Sequence, residues 1–237
     1  MTTASGIHGK LLRVTSSDER WVEEALVVYR RYATEVVEGL KLCPWALPAR
    51  KAGRVREKVL LLDSPDANAA AAAAAAIARD ESIDIGLLIF PKLDLSRQDF
   101  ERFVARIREV DAALHAPASA PMAMAAFHPD AEPNLESAER LTPFLRCTPD
   151  PTIQLVRTSA LDAVRSNDEH GSALVDLSTI DLATFLATPP KAPMHERIAE
   201  TNLATIRAKG VDEVRALLRD IRDERNRRYE ALRSSKP

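Results

Sequence analysis

Four short apolar runs, separated by stretches of helical pattern, constrain this chain more than any other feature. They are "KVLLLD" (58–63), "IDIGLLIFP" (83–91), "PMAMAAFHP" (121–129) and "PTIQLVR" (151–157). Each is short and bounded by proline, aspartate or a polar loop, which marks a buried strand rather than a helix. Asp63-Ser64-Pro65-Asp66 opens a helix after the first run, and eight consecutive alanines, Ala69 to Ala76, fill it. Alanine is the best helix former, so that run reads as helix and nothing more. Residues 96–114 carry Phe100, Phe103, Val104, Ile107 and Val110 at helical spacing, and "ESAERLTPFLRC" reads as a short helix. Strands alternating with helices predict an α/β (or α+β) fold with one sheet of about four to five strands and some parallel pairing.

Helices flank this core. Residues 16–40 place Trp21, Ala25, Val28, Tyr32, Val36 and Leu40 on one stripe, ending at Gly39 and Pro44. "KLLRVT" (10–15) is an edge strand or an ordered tail. Residues 193–208 are helical up to Gly210, and a charged helix runs from Val211 to about Leu232. That last helix either docks on the core or forms a homodimer contact. The expected organisation is a core domain over 1–165, an insertion or linker over 166–192 with a short helix at 180–187, and C-terminal helices over 193–237.

Composition then excludes several classes. The chain is 237 residues long, 46% hydrophobic and 29% charged, with a net charge of −2. Without a basic surplus it is not expected to bind nucleic acid. No apolar run reaches a membrane span and the start carries no signal-peptide core, so a cytoplasmic protein is expected. Two cysteines without a CxxC pair read as reduced thiols rather than a structural zinc site. There are only 7 glycines and no GxGxxG, Walker, HExxH or GxSxG motif, so no cofactor is predicted.

Ligands of open α/β sheets collect beyond the carboxyl ends of the strands. If the strands are parallel, those ends carry Lys92, His128 with Asp130, and Arg157. Such a set suits a small carboxylate, with His128 moving a proton near neutral pH. His128 also reads as a strand cap, Arg157 as a surface ion pair, and Lys92 as a solvated side chain. Arg146 lies in "FLRCTPDPT", a loop where arginine meets an anion or a carboxylate. Cys43, in "GLKLCPWALP" (39–48), is either a small core residue or a nucleophile beside the basic stretch of 50–58. Cys147 reads as incidental.

The stretches "VVEGLKLCPWA" (36–46), "AAFHPD" (125–130), "PTIQLVR" (151–157) and "ETNLATI" (200–206) resemble a bacterial family known as domain of unknown function 1415. The resemblance runs from about Trp21 to Arg165 and resumes near Ile198. It covers Gly39, Leu40, Leu42, Cys43, Pro44 and Ala46; Phe127, His128 and Pro129; and Pro151, Thr152, Leu155 and Arg157. Arg146, Thr148 and Pro149 stand in place of the family's arginine-serine-proline loop. Lys41 replaces the family's asparagine, Trp45 its phenylalanine and Gln154 its histidine, so a metal site built on a histidine pair is not expected. The resemblance implies no activity, but it implies that Cys43 and His128 matter together.

The expectation is therefore an enzyme acting on a small anionic, carboxylate-bearing metabolite. Arg157 and Arg146 hold the anion, His128 and Cys43 do the chemistry, and Asp130 and Lys92 line the site. Two alternatives stay open. One is a non-catalytic ligand- or partner-binding module; the other is a mononuclear metal site on His128, Asp130 and Cys43.

Overall fold

The computed structural model describes residues 16–113, 120–161 and 194–234. The expected strand at 10–15, the 166–192 segment and the helix at 180–187 lie outside the described residues.

The chain opens with α1 (Ser16–Tyr32), which widens into a π-helical stretch at Ala33–Glu38. The stripe predicted from 16 to 40 is thus one amphipathic run with two windings. At its end, a Cβ on Gly39 would collide with the Glu35 carbonyl oxygen, so only glycine lets the wider turn close. Then follow α2 (Ala46–Lys51), β1 (Val55–Val59), α3 (Ala67–Ala78), β2 (Ile85–Ile89), α4 (Arg97–Ala113), β3 (Met122–Phe127), α5 (Ala138–Leu145) and β4 (Thr152–Arg157). The described chain closes with α6 (Met194–Lys209) and α7 (Val211–Ser234).

The four strands form one sheet in the order β1-β2-β4-β3. β1 and β2 are parallel, while β4 runs antiparallel to both its neighbours, β2 and β3. The chain leaves β3, turns through the short α5, and inserts β4 in the reverse direction between β2 and β3. The assumption that all carboxyl ends share one edge therefore fails for β4. Arg157 ends β4 at the opposite edge from Lys92, His128 and Asp130.

The two faces of the sheet bury different layers. Leu88, Ile153, Leu155 and Met122 face α3 and α4. Here the alanine run has a packing purpose: Ala70, Ala71, Ala73 and Ala74 are buried, so α3 lies close to the strands. A Cβ on Gly86 would stand 2.9 Å from Ile77 Cγ2 and 3.0 Å from Leu155 Cδ1, which is why β2 carries glycine under α3. Asp66 caps α3 by accepting from the Ala69 N–H at 3.0 Å. The other face buries Ile85, Leu87 and Ile89 against Val28, Tyr29, Tyr32, Leu141, Leu203 and Ile206, from α1, α5 and α6. α7 docks along α1 through Arg31 with Asp220 and Glu224, and through Arg228 with Glu24. Among the described residues no helix is long and apolar enough to cross a membrane.

Candidate functional site

The carboxyl edge of β1, β2 and β3, where a ligand was expected, is filled by α7. Asp150, just before β4, is fully buried. Its carboxylate accepts from Arg225 Nε at 2.8 Å and from the Tyr229 hydroxyl at 2.6 Å. Arg225 also donates to the Pro91 carbonyl at 3.3 Å, and its guanidinium lies 4.5 Å from the Tyr229 ring. Tyr229 packs on Trp21 at 4.7 Å between centroids. Lys92 sits over that indole at 5.4 Å and pairs with Asp18 at 3.7 Å. Asp130 pairs with Arg222. Lys92 and Asp130 thus hold helices to the edge of the sheet.

His128 is 5% exposed. Its Nε2 hydrogen-bonds the Leu95 carbonyl at 2.9 Å and its Nδ1 accepts from the Asp130 backbone N–H at 3.1 Å. Both ring nitrogens of the neutral imidazole are therefore occupied. The ring packs on Phe100 of α4 at 5.8 Å, on the α3/α4 side of the sheet. Burial pushes its pKa down, opposed by the Leu95 bond. An unfolded histidine titrates near about 6.5, so below that value the unfolded chain takes up the proton first. The stability that neutral His128 supplies is whole above about 6.5 and falls as pH drops toward the lower folded value. Melting midpoints across this window should decline in the unmodified chain and decline less in His128→Gln. Equal slopes would show that His128 is not the group responsible.

Arg157 serves the opposite edge. Its Nε donates to the Ile83 carbonyl at 2.7 Å, and its Nη2 to those of Asp80 at 2.8 Å and Ala78 at 3.2 Å. It ties the end of α3 to the start of β2. It also lines an open depression with Arg54, Glu81, Asp84, Ser159 and Ala160, where Arg54 is already paired with Asp84.

Cys43 and Arg146 are both near Tyr32 on the remaining face. Cys43 follows Leu42, which is buried with Tyr29 and Tyr32 on the α1 side. Burial raises the thiol pKa, and the N–H groups of Trp45 and Ala46 only partly offset this, so Cys43 is a thiol near neutral pH. Arg146 ends α5, and its guanidinium lies 5.4 Å from the centre of the Phe127 ring. Burial lowers its pKa, and the group that favours its charge is the Tyr32 phenol. Tyr32 senses both: burial raises its pKa, with the Cys147 and Cys43 sulfurs adding to that and Arg146 opposing it. The Tyr32 hydroxyl donates to the Leu145 carbonyl at 3.0 Å. Phe127 pairs with Thr152, and Ala125 with Gln154, so Gln154 shares this face with Phe127.

The strand alternation sets His128 and Phe127 on opposite faces. Cys43 and His128 are thus divided by the sheet, although the His128 N–H donates to the Arg146 carbonyl at 3.1 Å across its rim. The structure places Cys43 and Arg146 each near Tyr32, and leaves His128, Asp130, Lys92 and Arg157 elsewhere. Among the described residues no three His, Cys, Asp or Glu side chains gather to hold a metal ion.

The loop bearing Cys43 holds one strained residue. Lys41 adopts φ 54°, in the left-handed region that costs an ordinary side chain about 1–2 kcal/mol. Asparagine tolerates that region better. Lys41→Asn should therefore stabilise the chain by about 0.5–1 kcal/mol in denaturant unfolding, whereas unchanged stability would mean that the loop relaxes.

Sequence reasoning missed Tyr32 and Asp150. Tyr32 lay in a helical stripe and read as packing, while Asp150 sat between two prolines in "TPDPT" and read as loop.

In comparison with known proteins, residues 18–177 match the family model described as Protein of unknown function (DUF1415). No curated protein and no solved structure matches the chain.

Proposed function

We propose, given that this chain belongs to the DUF1415 family, that it is an enzyme acting on a small anionic, carboxylate-bearing metabolite held at Arg146. One observation carries this proposal. Arg146 is a half-buried guanidinium with no carboxylate partner among the described residues, its partner being the Phe127 ring. Burying a charge costs several kcal/mol, and a cation–π contact returns about 0.5–2. A bound anion would supply the missing balance. Cys43 would be the neutral proton donor beside that anion, with Tyr32 holding the wall through its bond to the Leu145 carbonyl. His128 and Arg157 have no part in this version, because their hydrogen-bonding groups are mostly committed to the fold. The two free cysteines fit a reducing, cytoplasmic setting.

A second reading is a non-catalytic binding module. It is favoured by the raised Cys43 thiol and the occupied His128 ring, which leave neither group poised as a base. A panel of short mono- and dicarboxylates, followed by thermal shift, tests the binding common to both. A saturable rise in melting midpoint supports it, and no rise with any carboxylate contradicts it. Once a ligand is found, Cys43→Ser separates the two readings. Affinity kept with turnover lost supports the enzyme; affinity and turnover both unchanged remove Cys43 from the chemistry.

A further inference from the structure

The motif "ETNLATI" (200–206) is the sequence feature that this site leaves unused, and it contains Asn202. Asn202 lies on α6, is 7% exposed, and is followed by the buried core residues Leu203 and Ile206. Its Nδ2 donates to the Leu42 carbonyl at 3.1 Å in a buried bond between segments far apart in sequence. That carbonyl belongs to the peptide that carries the Cys43 N–H, one residue beyond the strained Lys41. No described residue hydrogen-bonds the other end of the amide, Oδ1. A half-used buried amide costs about 1–3 kcal/mol, which a leucine in its place would avoid. Stability alone does not account for asparagine there.

We propose that Asn202 is a positioning residue for Cys43: its bond to the Leu42 carbonyl holds the 39–45 loop so that the thiol stays on the wall shared with Tyr29 and Tyr32. The importance of that position rests on the proposed function, but the positioning itself is tested separately. α6 thereby becomes part of the site from a region beyond the 18–177 match.

The test is alkylation of the full chain by iodoacetamide over a pH series, with Cys43 and Cys147 followed separately by mass spectrometry. Cys147 is buried, its thiol pushed up to about 11, and serves as the internal control. In Asn202→Leu and Asn202→Ala, Cys43 should react about tenfold faster near neutral pH, its profile moving toward that of a free thiol. Cys147 should keep its rate. Unchanged Cys43 profiles would overturn the inference, even if melting temperatures fall. So would equal acceleration of both cysteines, which reports general loosening. Unchanged profiles with carboxylate binding intact would sink the positioning role alone. Shifted profiles without any carboxylate binding would sink the anion site alone.

Discussion

Arg146→Met should make the protein more stable and, at the same time, unable to respond to carboxylates. Methionine keeps most of the side-chain length over the Phe127 ring and removes a guanidinium that has no counter-ion among the described residues. Removal of a half-buried charge without a counter-ion is expected to raise stability by about 1–2 kcal/mol. For a chain of this size that is a melting rise of about 2–8 °C. Charge-assisted bonds to a carboxylate contribute about 1.5–3 kcal/mol, so affinity should fall by about 10- to 100-fold. A structural arginine gives the reverse sign: Arg146→Met would melt earlier. The pair of signs, stability up and binding down, is what separates a site residue from a packing residue.

Asp150→Ala should be the most damaging single change in the described chain. It removes a fully buried carboxylate and strands Arg225, whose side chain is 22% exposed, together with the Tyr229 hydroxyl. Breaking one side of a buried pair costs about 3–5 kcal/mol, or a fall of about 6–20 °C at this chain length. Tyr229→Phe removes only one hydrogen bond and should cost about 1–3 kcal/mol. The double change Asp150→Leu with Arg225→Met should recover much of the loss, because no charge is left unpaired. Calorimetric melting of the three variants checks the order. If Asp150→Ala melts within a degree or two of the unmodified chain, α7 is not anchored as described.

The sequence showed which segments are strands better than it showed how they run. "IDIGLLIFP" was legible because every residue of β2 is buried, which leaves an unbroken apolar run. "KVLLLD" was misplaced by a few residues. The actual strand, Val55–Val59, is an edge strand reading VREKV, with half-buried and exposed positions alternating. Its charges hid it, while Leu60, Leu61 and Leu62 form the loop that follows and pack into two separate clusters. The reversal of β4 was not legible, because an apolar pattern records burial and carries no direction. That reversal took Arg157 away from the expected cluster.

One feature of the candidate site, the side of the sheet on which each residue lies, was legible in the sequence. Phe127 and His128 are neighbours at the end of a strand, so their side chains must point to opposite faces. Arg146 stacks on Phe127, and Leu42, which precedes Cys43, packs with Tyr32 on the α1 side. Alternation alone therefore argued against a Cys43–His128 pair. The occupied imidazole was beyond sequence, because its partners Leu95 O and the Asp130 N–H are set by loops.

The central claim is that Arg146 holds an anion, and its own guanidinium reports it most directly. The Nε–H resonance of Arg146, assigned by its loss in Arg146→Met, is followed while a stabilising carboxylate is titrated in. The account predicts a saturable shift of that resonance, with the same midpoint as the thermal response. A carboxylate that stabilises the protein while the Arg146 resonance stays still would contradict it.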